Sequence, residues 1–107
     1  MYRRILLLTL LSFGCAPLAL AQSSGDPAAG ERKASMCAGC HGIPGYRNAY
    51  PAYSVPKLGG QHAQYIVSAL KAYQGKSRAH PTMQAIAAGL SDQDMADLAA
   101  YFAGTKP

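Results

Sequence analysis

Cys37-Ala38-Gly39-Cys40-His41 is the stretch that decides the fold of this 107-residue chain. Two cysteines separated by two residues and followed at once by a histidine are typical of covalent haem attachment. The two thiols add to the two vinyl groups of haem, and the adjacent histidine is then held beneath the iron. The motif therefore predicts one haem c bound through Cys37 and Cys40, with His41 as an iron ligand.

Other kinds of site use cysteines at the same spacing. A redox dithiol is typically found in a thioredoxin-like βαβ unit, which this sequence does not indicate. A zinc site requires two further Cys or His residues at suitable spacing. A disulfide is common in exported proteins, but the histidine that follows the second cysteine favours haem attachment over all three.

The first 21 residues have the composition of an export signal. A positively charged start is followed by an almost wholly apolar run over 5–13 and by a small-x-small cleavage site at 19–21. The apolar run is shorter than the roughly 20 residues that a membrane-spanning helix needs. We therefore predict a signal peptide over 1–21, a single mature domain over 22–107, a periplasmic location and no transmembrane segment after cleavage.

The sequence offers one alternative to cleavage of the signal, and its charge pattern bears on the class of partner. A minor alternative to cleavage after Ala21 is a lipid anchor on Cys15, although residues 12–14 lack the leucine expected before a lipidated cysteine. The formal net charge of +5 includes two arginines of the predicted signal, and no basic run is interleaved with aromatic residues. The sequence therefore does not indicate a nucleic-acid partner.

The rest of the chain predicts an all-α domain, because no convincing period-2 alternation is present. Local signals mark the helix ends: an Asp-Pro start, a terminating glycine after the middle helix, and a capping-box pattern before the last helix. The predicted elements are a helix from Asp26 towards Cys37, a helix over 61–74 and a helix from Ser91 to Gly104, with irregular stretches at 42–60 and 76–89. A domain this small needs a staple, which a central haem would supply.

Three segments of the sequence resemble class I cytochrome c, particularly its small single-haem bacterial members and the halves of its dihaem relatives. These segments are residues 37–42, 56–61 and 90–102. The resemblance extends from Asp26 to Ala103 and implies the cytochrome c fold, with about three main helices and irregular loops wrapped around one haem.

The resemblance also implies roles for individual residues. In that family, the carbonyl of a proline in a Pro-x-Leu segment contacts the haem-ligating histidine, so Pro56 is expected to orient His41 and Leu58 to pack on the haem. The first and last helices of the family cross at a glycine and an aromatic residue, which correspond here to Gly30 and Tyr101.

The second iron ligand implied by the resemblance is a methionine sulfur. Met1 is remote, Met36 adjoins Cys37 on the histidine side of the haem, and Met95 follows a helix start. These observations leave Met83, in the second irregular stretch, where the family has its ligand. The alternatives are that Met83 only fills a gap in the core, or that His80 or His62 binds the iron instead.

An iron with protein atoms on both sides predicts a protein that carries electrons and does not turn over a substrate. Two alternatives are the haem subunit of a periplasmic oxidoreductase and, less favoured, a haem enzyme or gas sensor with an open sixth position. The expected partners are redox proteins, whose acidic faces could dock on a positive rim. The residues of this predicted rim are Lys57, Lys71, Lys76 and Arg78.

Overall fold

The computed structural model describes residues 24–107, which contain five helices and one antiparallel hairpin. The helices are α1 (Pro27–Lys33), α2 (Ser35–His41), α3 (Ala63–Gln74), α4 (Pro81–Ala88) and α5 (Asp92–Gly104). The hairpin pairs β1 (Arg47–Ala49) with β2 (Ala52–Ser54). The predicted helical fold is confirmed, and none of these described helices is long and apolar enough to cross a membrane.

The first predicted helix is divided into two helices at Ala34. Asp26 caps α1 as predicted, because its side chain accepts the Ala28 N–H at 2.9 Å. At the junction, the Ala34 N–H is shared between the carbonyls of Gly30 and Glu31, which tightens the last turn of α1. The chain then continues in α2 as far as His41, so the whole cysteine motif lies on one helix.

The stretch predicted to be irregular over 42–60 contains the β1–β2 hairpin, and that part of the prediction was wrong. Each strand has three residues, and only the central ones, Asn48 and Tyr53, are partly buried. Strands this short contain too few side chains to produce a recognisable alternation of polar and apolar residues.

The stretch predicted to be irregular over 76–89 contains α4, which is also a correction. Pro81 occupies the first helical position and Gly89 follows the end of the helix, but Ala87 is its only fully buried residue. The apolar period is therefore weak. As a result, Met83 lies in the first turn of a helix and not in an irregular loop.

Helices α3 and α5 form the core, as their sequences predicted. Gly75 follows α3, and α5 begins with a complete capping box between Ser91 and Asp94. The buried residues of the core cluster are Ile66, Leu70, Met95 and Ala99. Met83 of α4 and Phe102 of α5 are partly buried against this cluster, so the three helices share one apolar centre.

The predicted crossing of the first and last helices is present at Gly30. A Cβ added to Gly30 would overlap the carbonyl oxygen of Asp97 and would lie 2.7 Å from the Cβ of Tyr101. The absence of a side chain at Gly30 therefore allows the backbones of α1 and α5 to approach closely.

A buried carboxylate that was not predicted from the sequence ties α1 to α5 at this crossing. Asp97 is only 3% exposed, and it accepts hydrogen bonds from the Asp26 N–H at 2.8 Å, the Lys33 ammonium at 2.6 Å and the Gln93 amide at 2.7 Å. Lys33 also pairs with Asp94 at 2.7 Å. Every charge in this cluster therefore has a partner, as buried charges require.

Stability of the folded protein is expected to fall in acid because of this cluster. The bond from the Asp26 N–H, followed by those from Lys33 and Gln93, lowers the pKa of Asp97 to about 2. Since an unfolded aspartate has a pKa of about 3.9, the stabilisation is complete above that value and disappears as the pH falls towards 2. Urea unfolding between pH 5 and pH 2 would measure this loss.

Asp97→Asn is the variant that tests the origin of the acid sensitivity. It is expected to be less stable than the wild type at neutral pH and to show a shallower loss of stability between roughly pH 4 and pH 2. Asp92→Asn is the control, since the Asp92 side chain on the same helix is mainly exposed and has only a 3.7 Å contact with Lys71. Equal pH slopes in the wild type and Asp97→Asn would contradict the assignment.

Candidate haem site

Helix α2 presents the three chemically important residues of the motif on one side. Cys40 and His41 lie three and four residues after Cys37, which are positions that neighbour it on a helical surface. Both thiols are free, so the structure does not contain the disulfide considered from the sequence. Two unpaired thiols and an imidazole therefore face the same region.

The environment of the thiols bears on the other kinds of cysteine site. Burial raises the pKa of the Cys37 thiol, whereas a redox-active cysteine has a lowered pKa and reacts as the thiolate. Over residues 24–107, no group of three or more His, Cys, Asp or Glu side chains is placed to hold a metal ion. Neither observation favours a redox dithiol or a zinc site in this part of the chain.

The imidazole of His41 is oriented by a backbone carbonyl. Its Nδ1 lies 2.6 Å from the carbonyl oxygen of Pro56, 15 residues further along the chain. Because a carbonyl oxygen only accepts hydrogen bonds, Nδ1 is the donor and the lone pair of the neutral ring is on Nε2. The bond thus fixes both the tautomer and the orientation of a ring that is ready to bind a metal through Nε2.

The residues after Pro56 connect this carbonyl to the end of the chain. Leu58 is partly buried, and its carbonyl oxygen accepts the Gln61 N–H at 3.1 Å. Gly59 lies so close to the Lys106 carbonyl that a Cβ would overlap it. The Pro56 segment is therefore held by packing, while contact between Leu58 and haem stays a prediction.

The methionines at positions 36, 83 and 95 occupy different environments. Met36 is 55% exposed beside Cys37, whereas Met95 is completely buried in the core. Met83 is partly buried at the surface of the same core. Met83 therefore packs against the core and also keeps exposed surface. This environment fits either an iron ligand or a core residue.

The two histidines considered as alternative iron ligands have different surroundings. His62 is exposed at the N-terminus of α3 and makes no capping hydrogen bond with its side chain. His80 is partly buried, and its Nδ1 accepts the backbone N–H of Met83 at 3.2 Å. This capping role was not predicted from the sequence, although the position of His80 directly before Pro81 was a signal for it.

All four residues of the predicted positive rim, including Lys76, are exposed, and two of them also contact neighbouring side chains. Lys71 lies 3.7 Å from Asp92, and the Arg78 guanidinium lies 4.5 Å from the centre of the Tyr73 ring. Lys57, in contrast, lines a groove of about 430 Å³ that is also lined by His41 and Lys106. The structure thus adds Lys106 to the cations near the haem motif.

Comparison with known proteins gives a consistent set of matches. A family profile described as cytochrome c matches residues 27–106. Cytochrome c4 of Pseudomonas aeruginosa is 40% identical over 103 residues, which cover 96% of this chain and 49% of that protein. Cytochrome c-554(548) of Halomonas halodenitrificans is 48% identical over 82 residues, which cover 74% of this chain and 95% of that protein.

A solved structure matches the same region. The structure of reduced recombinant cytochrome c4 from Pseudomonas stutzeri superposes with a TM-score of 0.64 at 35% identity. The match covers 78% of this chain and 47% of that structure. The chain therefore spans about half the length of the cytochrome c4 relatives, but almost the whole of the shorter relative from Halomonas halodenitrificans.

Proposed function

Because the chain belongs to the cytochrome c family, we propose that it is a periplasmic electron-transfer protein with one haem c attached to Cys37 and Cys40 and ligated by His41 and Met83. The observation that carries this proposal is the hydrogen bond between His41 Nδ1 and the Pro56 carbonyl. It leaves Nε2 free to bind iron and supports the family role expected of Pro56.

The residues present fit a covalently held haem. Both thiols are free and lie on the same side of α2 as His41, and Met83 packs beside the apolar cluster that α3 and α5 form. When bound, haem would supply a one-electron iron couple, and ligation by His41 and a methionine sulfur would raise its potential. The protein provides the two attachment points, the oriented imidazole and the apolar surroundings.

The location follows from the N-terminal residues. We predict that residues 1–21 are a signal peptide and that the mature domain covers 22–107, although this signal and Cys15 lie outside the described residues. Export is required by the proposed chemistry, since the thioethers of c-type haem are formed on the periplasmic side. Fractionation of cells that express the full chain would test this location.

The partners are proposed to be redox proteins that dock by charge. Lys57 and Lys106 line the groove that also includes His41 and the acidic Glu31, so two positive charges lie near one of the proposed iron ligands. Electrostatic steering of this kind accelerates association with an acidic partner and weakens as salt is added.

Met83→Ala is expected to abolish the far-red absorption band that a sulfur ligand gives to oxidised haem. It is also expected to lower the reduction potential, because the soft thioether stabilises the ferrous state. Spectroelectrochemistry of the mature haem-loaded protein would measure both quantities in one experiment.

Met36→Ala is the matched control for this substitution. Met36 is exposed beside Cys37, so its truncation is expected to preserve both the band and the potential. If Met83→Ala retained the wild-type spectrum and potential, Met83 would not be the ligand and would instead be a packing residue of the core.

A further inference from the structure

The ring of His80 is held by aromatic contacts from two other elements of the fold. Its ring lies edge-on to Tyr53 of β2, with the ring centres 4.9 Å apart and the planes at 83°. Tyr73 of α3 approaches at 6.3 Å and 75°, and Arg78 covers Tyr73 at 4.5 Å. The hairpin and α3 therefore both contact this imidazole, while Arg78 contacts only one of the two tyrosines.

The same imidazole determines the position of a backbone group in α4. The first N–H groups of a helix have no partner within the helix, and Pro81 has no N–H. His80 Nδ1 accepts the N–H of Met83, which is the third residue of α4, at 3.2 Å. The backbone of Met83 is therefore fixed by a side chain that Tyr53 and Tyr73 hold in turn.

Histidine is not among the residues usually preferred at this position. Helices are generally capped by Ser, Thr, Asp or Asn, whose short side chains satisfy the N–H but extend no further. The larger ring of His80 also reaches the β1–β2 hairpin, a contact that a short cap would not make. Histidine at position 80 therefore links the hairpin to the backbone of Met83.

We infer that His80 is a positioning residue for Met83, which holds the backbone of this proposed iron ligand through its Nδ1 and links it to the hairpin through Tyr53. This inference rests on the proposed function, since it requires Met83 to bind the iron. A weaker cap would allow the first turn of α4 to open, so an external ligand would displace the methionine sulfur more readily.

Titration of the oxidised haem-loaded protein with imidazole tests this inference, because imidazole competes with the sulfur for the iron. His80→Ala is expected to raise the apparent imidazole affinity about fivefold or more, which is the factor that corresponds to the loss of one helix cap. His80→Asn retains a capping acceptor but not the contact with Tyr53, so it is expected to raise the affinity less than His80→Ala and by about as much as Tyr53→Ala.

Tyr53 and Tyr50 provide a second pair of variants on the hairpin. Tyr53→Ala removes the edge contact to His80 and is expected to raise the imidazole affinity in the same direction. Tyr50 is 95% exposed at the turn of the hairpin, so Tyr50→Ala is expected to leave the affinity unchanged. If His80→Ala yields no folded protein, the comparison of these two variants decides the question.

The spectrum of the wild type separates the two possible failures. Absence of the far-red band in the wild type would overturn ligation by Met83 and, with it, the positioning role of His80. A normal wild-type band, with unchanged imidazole affinity, band and potential in His80→Ala and Tyr53→Ala, would overturn the positioning role alone. A lower melting temperature without these changes would identify His80 as a purely structural cap.

Discussion

Gly30→Ala is expected to separate α1 and α5 where they cross and to destabilise the folded protein strongly. The added Cβ would overlap the Asp97 carbonyl oxygen and lie 2.6 Å from the Asp97 carbonyl carbon. These atoms belong to the backbone of α5, so a change of rotamer cannot relieve the clash. Separation of the helices would also strain the hydrogen bonds of Asp97 to Asp26 and Lys33.

The size of the effect can be bounded by two opposing contributions. Replacing glycine with alanine inside an exposed helix stabilises it by up to about 1 kcal/mol, whereas overpacking a well-filled site costs about 1–3 kcal/mol, and sometimes more. Because the clash here involves backbone atoms, its cost lies at the upper end of that range, and we expect a net loss of about 2 kcal/mol. Urea unfolding of the haem-loaded protein, followed by circular dichroism, would measure it.

Gly104→Ala is the matched control for the crossing. Gly104 is the last residue of α5, and a Cβ added there meets no atom of another described element within 4 Å. Its substitution is expected to change the free energy of unfolding by less than about 1 kcal/mol. Equal stability of Gly30→Ala and the wild type would mean that the close approach of α1 and α5 is not required by the fold.

The helices that could be predicted from the sequence are those with local signals at both ends. For α5, Ser91 and Asp94 predicted the start of the helix, and the apolar stripe begins at Met95. For α3, the apolar stripe and the terminating Gly75 were sufficient. Such signals act within a few residues, so they remain readable without knowledge of the tertiary structure.

The elements that were missed obtain their stability from contacts that are distant in sequence. Helix α4 begins with an imidazole cap that packs on Tyr53, a residue of the hairpin. The hairpin itself has only three residues in each strand. Neither element contains enough apolar residues to produce a period, so their formation depends on the packing of the whole domain.

In the candidate site, too, some residues could be identified from the local sequence and others could not. The cysteines and His41 could be identified from five consecutive residues, whereas the role expected of Pro56 came from the resemblance to a family. Asp97, at the crossing of α1 and α5, could not be predicted as a buried residue from the local sequence. Its partner Asp26 is 71 residues away, and its burial depends on the crossing at Gly30. Spacing in a sequence predicts chemistry within one helix, but not between helices.

Substitution of both Cys37 and Cys40 with alanine is expected to remove covalent haem from the chain completely. The two thiols are free and lie one helical turn apart on the side of α2 that presents His41. Without them, only non-covalent contacts would retain the cofactor, and these do not survive denaturation. Haem staining of a denaturing gel and the mass of the intact chain would measure the loss.

The single substitutions divide the expected effect between the two attachment points. Cys37→Ala and Cys40→Ala each leave one thiol, so a chain with one thioether would retain the mass of haem. The remaining vinyl group would stay conjugated with the ring and shift the visible absorption bands to longer wavelength. The spectrum of each single variant therefore reports on attachment at the other cysteine.

Cys15→Ala is the control, since Cys15 belongs to the predicted signal and lies outside the described residues. It is expected to leave haem attachment unchanged, and a shift of the protein from membranes to the aqueous fraction would support the lipid-anchored alternative. Covalent haem in the double variant would contradict attachment through Cys37 and Cys40. Because the domain has a small apolar core, loss of the cofactor is also expected to lower its stability, since small domains depend on such a staple.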